Sequence, residues 1–254
     1  MKIAVIDLDS LAFAAGSPNK VLGENNEPIK ENGKFVYTDK TEDELKNSVH
    51  YWMNEILTKS EATHYIAFIK GKGNYRYEIK SDYKANRPKE SPKWWDFIKN
   101  YFIEEYKAIP VDGIEVDDAV NITRLALRDS FICAIDKDLL GLEGSHYNWR
   151  KNEWVYTNKV EAVYNFWVDM IAGQSGDAVK GIPGKGEKFV QKLFDGCNSA
   201  EEYRPLVLEA YISHFGEGVG IKEFYKNYSC LKILEGFEGF VIPEPISVKK
   251  EGVL

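Results

Sequence analysis

Three short apolar runs rich in β-branched residues punctuate the first half of the chain: KIAVID at 2–7, HYIAFI at 64–69 and FICAID at 131–136. Runs of this length without polar alternation predict strands buried on both faces. Between them, apolar residues recur at helical spacing. In EDELKNSVHYWMNEILTK (42–59), Leu45, Val49, Trp52, Met53 and Ile56 share one face, and PKWWDFIKNYFIEEY (92–106) and DDAVNITRLALRD (117–129) read as further helices. Strands alternating with helices predict an α/β fold, a mostly parallel central sheet flanked by helices. SHYNWRKNEWVYT (145–157) reads as a hairpin, the pattern turns helical from about Val160, and the closing VIPEPISVKKEGVL reads as partly loose.

Composition sharpens this picture. A chain of 254 residues with 44% hydrophobic and 13% aromatic content can build a sizeable core. No apolar run approaches the roughly 18 residues of a membrane helix. Asp7 and Asp9 stand where a signal peptide would be apolar, so a cytoplasmic protein with no membrane partner is expected. Cys133, Cys197 and Cys230 are odd in number and widely spaced, and the four histidines show no ligand spacing, which argues against disulfides, zinc and Cys/His nucleophiles. The formal net charge of −7 hides two basic stretches. Residues 70–93 carry eight Lys or Arg against three acids, and 180–192 carry four Lys against Glu187 alone. Local positive charge of this kind is what binding phosphates requires.

The acids gather where the strands end: Asp7 and Asp9 after the first, Glu115, Asp117 and Asp118 in GIEVDDA, Asp136 and Asp138 in IDKDL, and Asp177 in SGDAVKG. Ligands of such sheets sit at the carboxyl ends of the strands. An aspartate before a helix is ordinarily an N-cap, yet caps do not account for so many acidic spots converging on one edge. Clustered carboxylates repel unless a cation joins them, and an all-oxygen donor set suits Mg²⁺ or Mn²⁺. Two such ions about 3.5–4 Å apart are a device for cleaving phosphodiesters. In YRYEIKSDYKANRPK, Lys84 and Arg87 would share a helix face beside Tyr83, an aromatic with two cations suited to a base and its phosphate.

YKANRP, GIEVDDA, IDKDL and GDAVKGIPGKG, in this order and at these separations, resemble the 5′-nuclease family: flap endonucleases, the 5′-exonuclease domain of bacterial DNA polymerase I and small phage 5′→3′ exonucleases. The resemblance covers roughly residues 1–196. It implies a PIN-like core over residues 1–159 with a helical arch at about 70–106. A helix-hairpin-helix and a C-terminal helical region would follow over 160–254, packed with the core as one unit. Metal ligands would be Asp7, Glu115, Asp117, Asp118, Asp136, Asp138 and Asp177. Lys84 and Arg87 would steer the scissile phosphate, and Tyr83 would stack on the unpaired terminal base. GIPGKG would be the hairpin turn that grips duplex backbone through Gly181, Gly184, Lys185, Gly186 and Lys188, with K⁺ held by turn carbonyls. The implied activity is 5′→3′ exonuclease or flap endonuclease on DNA duplexes with a 5′ end or flap, with RNA–DNA hybrids as further substrates. The implied protein is a monomer of bacterial or phage-infected host cytosol.

Two positions depart from the family's pattern. Ile69 and Lys70 stand where an aspartate usually follows the second strand, and Gln174 replaces another. Asp9 is the nearest acid to stand in for the first. Two other readings remain open: a duplex-binding module without catalysis, and a haloacid-dehalogenase-type phosphatase using Asp7 of VIDLDS as its nucleophile.

Overall fold

The three apolar runs become adjacent strands of one sheet. The protein is described from a computed structural model, which covers residues 1–88, 90–197 and 199–248. The main sheet contains β1 (Ile3–Asp7), β2 (His64–Lys70), β3 (Ile109–Val111), β4 (Ser130–Cys133), β5 (Gly144–Asn148) and β6 (Glu153–Thr157). A two-stranded ribbon, β7 (Gly173–Gln174) with β8 (Val179–Lys180), stands apart, and β9 (Ile246–Ser247) returns to the main sheet. The helices are α1 (Leu8–Gly16), α2 (Glu42–Lys59), α3 (Arg76–Ile79), α4 (Trp95–Tyr106) and α5 (Val116–Ala126). They continue with α6 (Lys137–Leu140), α7 (Lys159–Ala172), α8 (Glu187–Leu193), α9 (Tyr203–Phe215) and α10 (Glu217–Leu231).

The main sheet runs β6-β5-β4-β1-β2-β9, with β3 also pairing with β2. Pairs β1–β2, β1–β4, β4–β5 and β2–β3 are parallel; only the hairpin β5–β6 and the β2–β9 pair are antiparallel. The chain builds β1, β2 and β3 outward on one side, then re-enters beside β1 with β4. That reversal opens a crevice between the carboxyl ends of β1 and β4, where loops diverge to opposite faces. Asp7 ends β1 and Asp136 follows β4, so topology alone delivers both to the crevice.

Both faces of the sheet are covered. Ala4, Ile6, Ala67 and Ile69 pack with α1, α2 and α4 on one face, and Val5, Ile66, Phe68 and Ile132 pack with α5 on the other. The uninterrupted apolar strands are thereby explained, each Val, Ile or Phe side chain being worth about 1.5–3 kcal/mol when buried. Helix α2 starts at residue 42 because Thr41 and Glu44 form a reciprocal capping box. A separate cluster around Trp167, Tyr211 and Phe224 unites α7, α9 and α10. Asn227 of α10 donates to the Tyr211 hydroxyl at 2.8 Å and to the Lys180 carbonyl at 2.7 Å, fixing the ribbon to the helices.

Several local expectations are corrected. Strand β4 stops at Cys133 because Asp136 turns the chain into α6. Within the closing stretch, Ile246 and Ser247 form β9 and pair with Tyr65 and His64 of β2, while 241–245 carry no regular element; residues 249–254 lie outside the described residues. Among the described residues, 80–94 carry no helix. Consecutive turns, with Lys84 left-handed at φ 55°, replace the helix face on which Lys84 and Arg87 were expected to align. No helix among the described residues is long and apolar enough to cross a membrane.

Candidate metal and nucleic-acid site

Two Asp-x-Asp sequences reach the crevice for one local reason. Asp7 is extended at the end of β1 and caps α1, accepting from Asp9 N at 2.9 Å, while Ser10 Oγ donates to its other oxygen at 2.9 Å. Asp136 caps α6 in the same way, accepting from Asp138 N at 2.8 Å. The two are N-caps, and a cap at a strand end places its carboxylate at the mouth of the sheet. Asp9 accepts from Lys70 N at 2.9 Å, which pins its carboxylate to the end of β2. Glu115 and Asp117 enter from the start of α5.

Electrostatics show that these acids share one space. Burial, then repulsion from Asp9, pushes the Asp7 carboxyl up to about 7. Burial and Asp136 raise Asp138 to about 6. Burial raises Asp117 well above the usual carboxylate range, with Asp7, Asp136 and Glu115 adding to it. Among the described residues, Asp7, Asp9, Asp117 and Asp136 have no Lys or Arg within 4.0 Å. The basic groups go to their neighbours. Lys84 bonds Glu115 and lies 3.8 Å from Asp177, Arg87 meets Asp177 at 2.9 Å, and Lys137 lies 3.7 Å from Asp138.

The donor set fits a hard divalent cation, being oxygen throughout and short of positive charge. No three of the described Asp, Glu, His or Cys side chains are arranged to hold one ion together. An ion here would take one or two carboxylates and complete its shell with water, as Mg²⁺ commonly does.

Asp118 is placed elsewhere. It is fully buried and receives both arms of the Arg76 guanidinium at 2.5 and 2.9 Å, Leu234 N at 2.9 Å and Glu115 N at 3.0 Å. Adjacent helix positions point about 100° apart, so Asp117 faces the crevice and Asp118 faces Arg76. Arg76 also donates to the carbonyls of Cys230 and Lys232, locking the end of α10 beneath the site. Tyr83 is buried as well: it is 2% exposed and offers no open face to a base in this structure. Its hydroxyl donates to Glu115 and Asp177, and burial together with these carboxylates pushes its ionisation far up, so the donor stays protonated.

The segment Tyr83–Arg87 lies on the turn after β7. Lys84 N donates to the Asp177 carbonyl, Asn86 to Ser175 and Arg87 to Gly176. The glycine-rich stretch divides its labour. A side chain at Gly181 would meet the Ile171 carbonyl at 2.1 Å, and Gly173 crosses it with φ 79°, so these two glycines serve the fold. Gly184 needs its left-handed φ of 72°, whereas Gly186 is extended and a side chain there would meet nothing within 4 Å. Lys185 and Lys188 are exposed beside it.

Asp169 and Asn74, neither of them foreseen, complete the surroundings, Asp169 through Gln174. Gln174 is buried and donates to Asp138 at 3.2 Å and Asp169 at 2.7 Å, while Lys137 donates to its oxygen at 3.0 Å. The place that departs from the family's acid thus has an acid alongside it, from the last turn of α7. The one signal was an aspartate set among Trp167, Val168, Met170 and Ile171. Asn74 donates to Glu115 at 2.9 Å and carried no signal at all.

The structure thus brings Asp7, Asp9, Asp117 and Asp136 to an α/β crevice bordered by Lys84, Arg87 and Lys137. The fold is shared with bacteriophage T5 D15 flap endonuclease, solved with DNA and metal ions: TM-score 0.60, 14% identity, covering 92% of this chain and 89% of that one. T5 5′-exonuclease matches with TM-score 0.56 at 14% identity, covering 91% and 84%. In sequence, the chain is 30% identical over 156 residues to a 5′-3′ exonuclease of Mycoplasmopsis pulmonis, covering 54% of this chain and 52% of that protein. It is 26% identical over 172 residues to flap endonuclease Xni of Pseudoalteromonas translucida, covering 59% and 65%. DNA polymerase I of Geobacillus stearothermophilus aligns at 25% over 92% of this chain but 27% of the polymerase. The chain thus spans between about a quarter and two thirds of these relatives. No family model matches it. The likeness to the solved structures is one of fold, and the sequence relatives bear the names of 5′-3′ exonucleases, flap endonucleases and DNA polymerase I.

Proposed function

We propose that the protein is a metal-dependent 5′→3′ exonuclease or structure-specific flap endonuclease that hydrolyses phosphodiesters near DNA 5′ ends. The observation that carries this reading is the crevice between β1 and β4, where Asp7, Asp9, Asp117 and Asp136 gather with no Lys or Arg within 4.0 Å among the described residues. Two Mg²⁺ or Mn²⁺ ions would supply polarisation of the phosphate and a hydroxide nucleophile. Asp7, Asp117, Asp136 and Asp138 would hold them, with Glu115 and Asp177 bordering.

The chain's own cations would prepare the substrate. Lys84 and Arg87 are held by Glu115 and Asp177, and an incoming phosphate competes with those carboxylates for the same hydrogen bonds. The exposed Lys185 and Lys188 beside the Gly184 turn would track the duplex backbone without reading its sequence. A helix-hairpin-helix and C-terminal helical region over 160–254, potassium at the hairpin turn, RNA–DNA hybrids as further substrates, a monomeric state and a division of the chain near residue 159 belong to the same proposal. The phosphatase reading is disfavoured because it leaves Lys84 and Arg87 beside the acids, and the lysine-bearing Gly184 turn, without a role. The non-catalytic reading draws on the occupation of Glu115 and Asp177 by Lys84 and Arg87.

The test is release of nucleotides from a 5′-labelled duplex in Mg²⁺, with Asp136→Ala and Asp138→Ala alongside. Cleavage should vanish in both variants while duplex affinity holds or rises slightly, since a charge that repels phosphate is gone. Wild-type turnover in either variant removes IDKDL from the site, and no metal-dependent cleavage by the wild type leaves the non-catalytic reading.

A further inference from the structure

We propose that Gln174 and Asp169 act as one positioning unit: Asp169 anchors the Gln174 amide, and the amide holds Asp138 in place for an ion. The inference rests on the nuclease reading above and concerns two residues outside the acids which that reading assigns to the metal.

Gln174 is 8% exposed and stands where three elements meet. Its backbone is fixed by the β7–β8 ladder, opposite Val179. The amide nitrogen serves two acids, Asp138 Oδ1 of α6 at 3.2 Å and Asp169 Oδ2 of α7 at 2.7 Å. Its oxygen accepts from Lys137 Nζ at 3.0 Å. Turning the amide over would set its oxygen against both carboxylates and its hydrogens against an ammonium, so its three partners fix its orientation. Asp117, Asp138, Asp169 and Gln174 line one cavity, so the unit borders the space of the assigned acids.

The division of roles follows from the distances. The shorter bond runs to Asp169, five residues back across the end of α7, where Gly173 N also donates to the Asp169 carbonyl. That is the firm end. The longer bond crosses 36 residues to Asp138 and takes up one of its oxygens. The other oxygen of Asp138 has no hydrogen bond among the described residues and stays available to an ion. Lys137 approaches the same Oδ1 at 3.7 Å, but its side chain is 72% exposed, which makes it the weaker hold. A carboxylate oxygen in place of the amide nitrogen would face Asp169 at 2.7 Å with no proton between them, so a neutral donor suits this place. Partners that orient a ligating carboxylate govern affinity for the ion without touching it.

Because Asp169 acts through a hydrogen bond, asparagine there keeps the acceptor and leucine removes it. The full chain would be compared with Gln174→Leu, Asp169→Asn, Asp169→Leu and Asp136→Ala. Mn²⁺ binding is read from the free-ion EPR signal, kcat and KM from a 5′-overhang duplex, and the fold from thermal unfolding in EDTA. Gln174→Leu and Asp169→Leu should each weaken Mn²⁺ binding by about tenfold and lower kcat, with KM little changed and unfolding close to wild type. Asp169→Asn should match the wild type throughout. Unchanged or tighter Mn²⁺ binding in Gln174→Leu or in Asp169→Leu overturns the proposal, and a lowered unfolding temperature alone would leave the pair a structural clasp. A loss in Asp169→Asn as large as in Asp169→Leu overturns it too, since the charge of Asp169 and not its bond would then be at work. Asp136→Ala keeps the two readings apart. Mn²⁺ binding lost there but kept in Gln174→Leu sinks this inference alone, whereas no Mn²⁺ binding by the wild type sinks the nuclease reading and this inference with it.

Discussion

Replacing Asp117 and replacing Asp118 should have opposite consequences, although the residues are neighbours and both resemble metal ligands in sequence. Asp118→Ala strips a fully buried Arg76 of its partner and leaves Leu234 N and Glu115 N without their acceptor. Breaking a buried pair from one side costs about 3–5 kcal/mol, because the remaining charge stays desolvated. At ~2–4 °C per kcal/mol for a chain of this size, the unfolding temperature should fall by roughly 6–20 °C. Asp117→Asn removes a carboxylate whose ionisation is opposed by burial and by Asp7, Asp136 and Glu115. In EDTA at pH 7 its unfolding temperature should therefore hold or rise, while Mn²⁺ binding and cleavage are lost. Differential scanning calorimetry with and without Mn²⁺ reads both proteins in one experiment. If Asp118→Ala unfolds with the wild type and loses only metal binding, the buried-pair argument is wrong and Asp118 belongs with the ligands.

Two further outcomes follow from the same geometry. Asp7 is raised to about 7 and Asp138 to about 6, so folding favours their protonated forms: their contribution is fully present below about pH 4 and is lost as pH climbs through 6 to 7. Metal-free protein should lose thermal stability across that window and regain it with Mg²⁺; a melting temperature in EDTA that is flat or rising from pH 4 to 7 refutes this. Gly181→Val should lower the folded yield or stability sharply, because its side chain would meet the Ile171 carbonyl at 2.1 Å. Gly186→Ala, with nothing within 4 Å, should melt within about 0.5 kcal/mol of wild type. Equal destabilisation of the two would show that the glycine crossing is misassigned.

The sequence by itself determined what depends on local pattern. Unbroken apolar runs and helical spacing located β1, β2, α2 and the hairpin β5–β6, since burial on both faces of a parallel sheet leaves no alternation to misread. Motif order pointed to the acids of the crevice, and strand-end aspartates stood out because aspartate is a favoured N-cap where a strand gives way to a helix. Short elements escaped: β3 and β9 are too brief for periodicity, and pairing along β2 alone makes them strands. Only the tertiary structure decided which acid does what. Asp117 and Asp118 look alike in sequence, and the guanidinium of Arg76, 42 residues away, separates them. Tyr83 looked like an exposed aromatic until β8 and α10 closed over its ring, and Gly181 and Gly186 looked equivalent until the chain crossed at one of them. The physical reason is common to all three. Residue type fixes what chemistry a side chain can offer, but its partner is set by contacts between segments distant in sequence, and those form only when the sheet and the helices of the second half pack together.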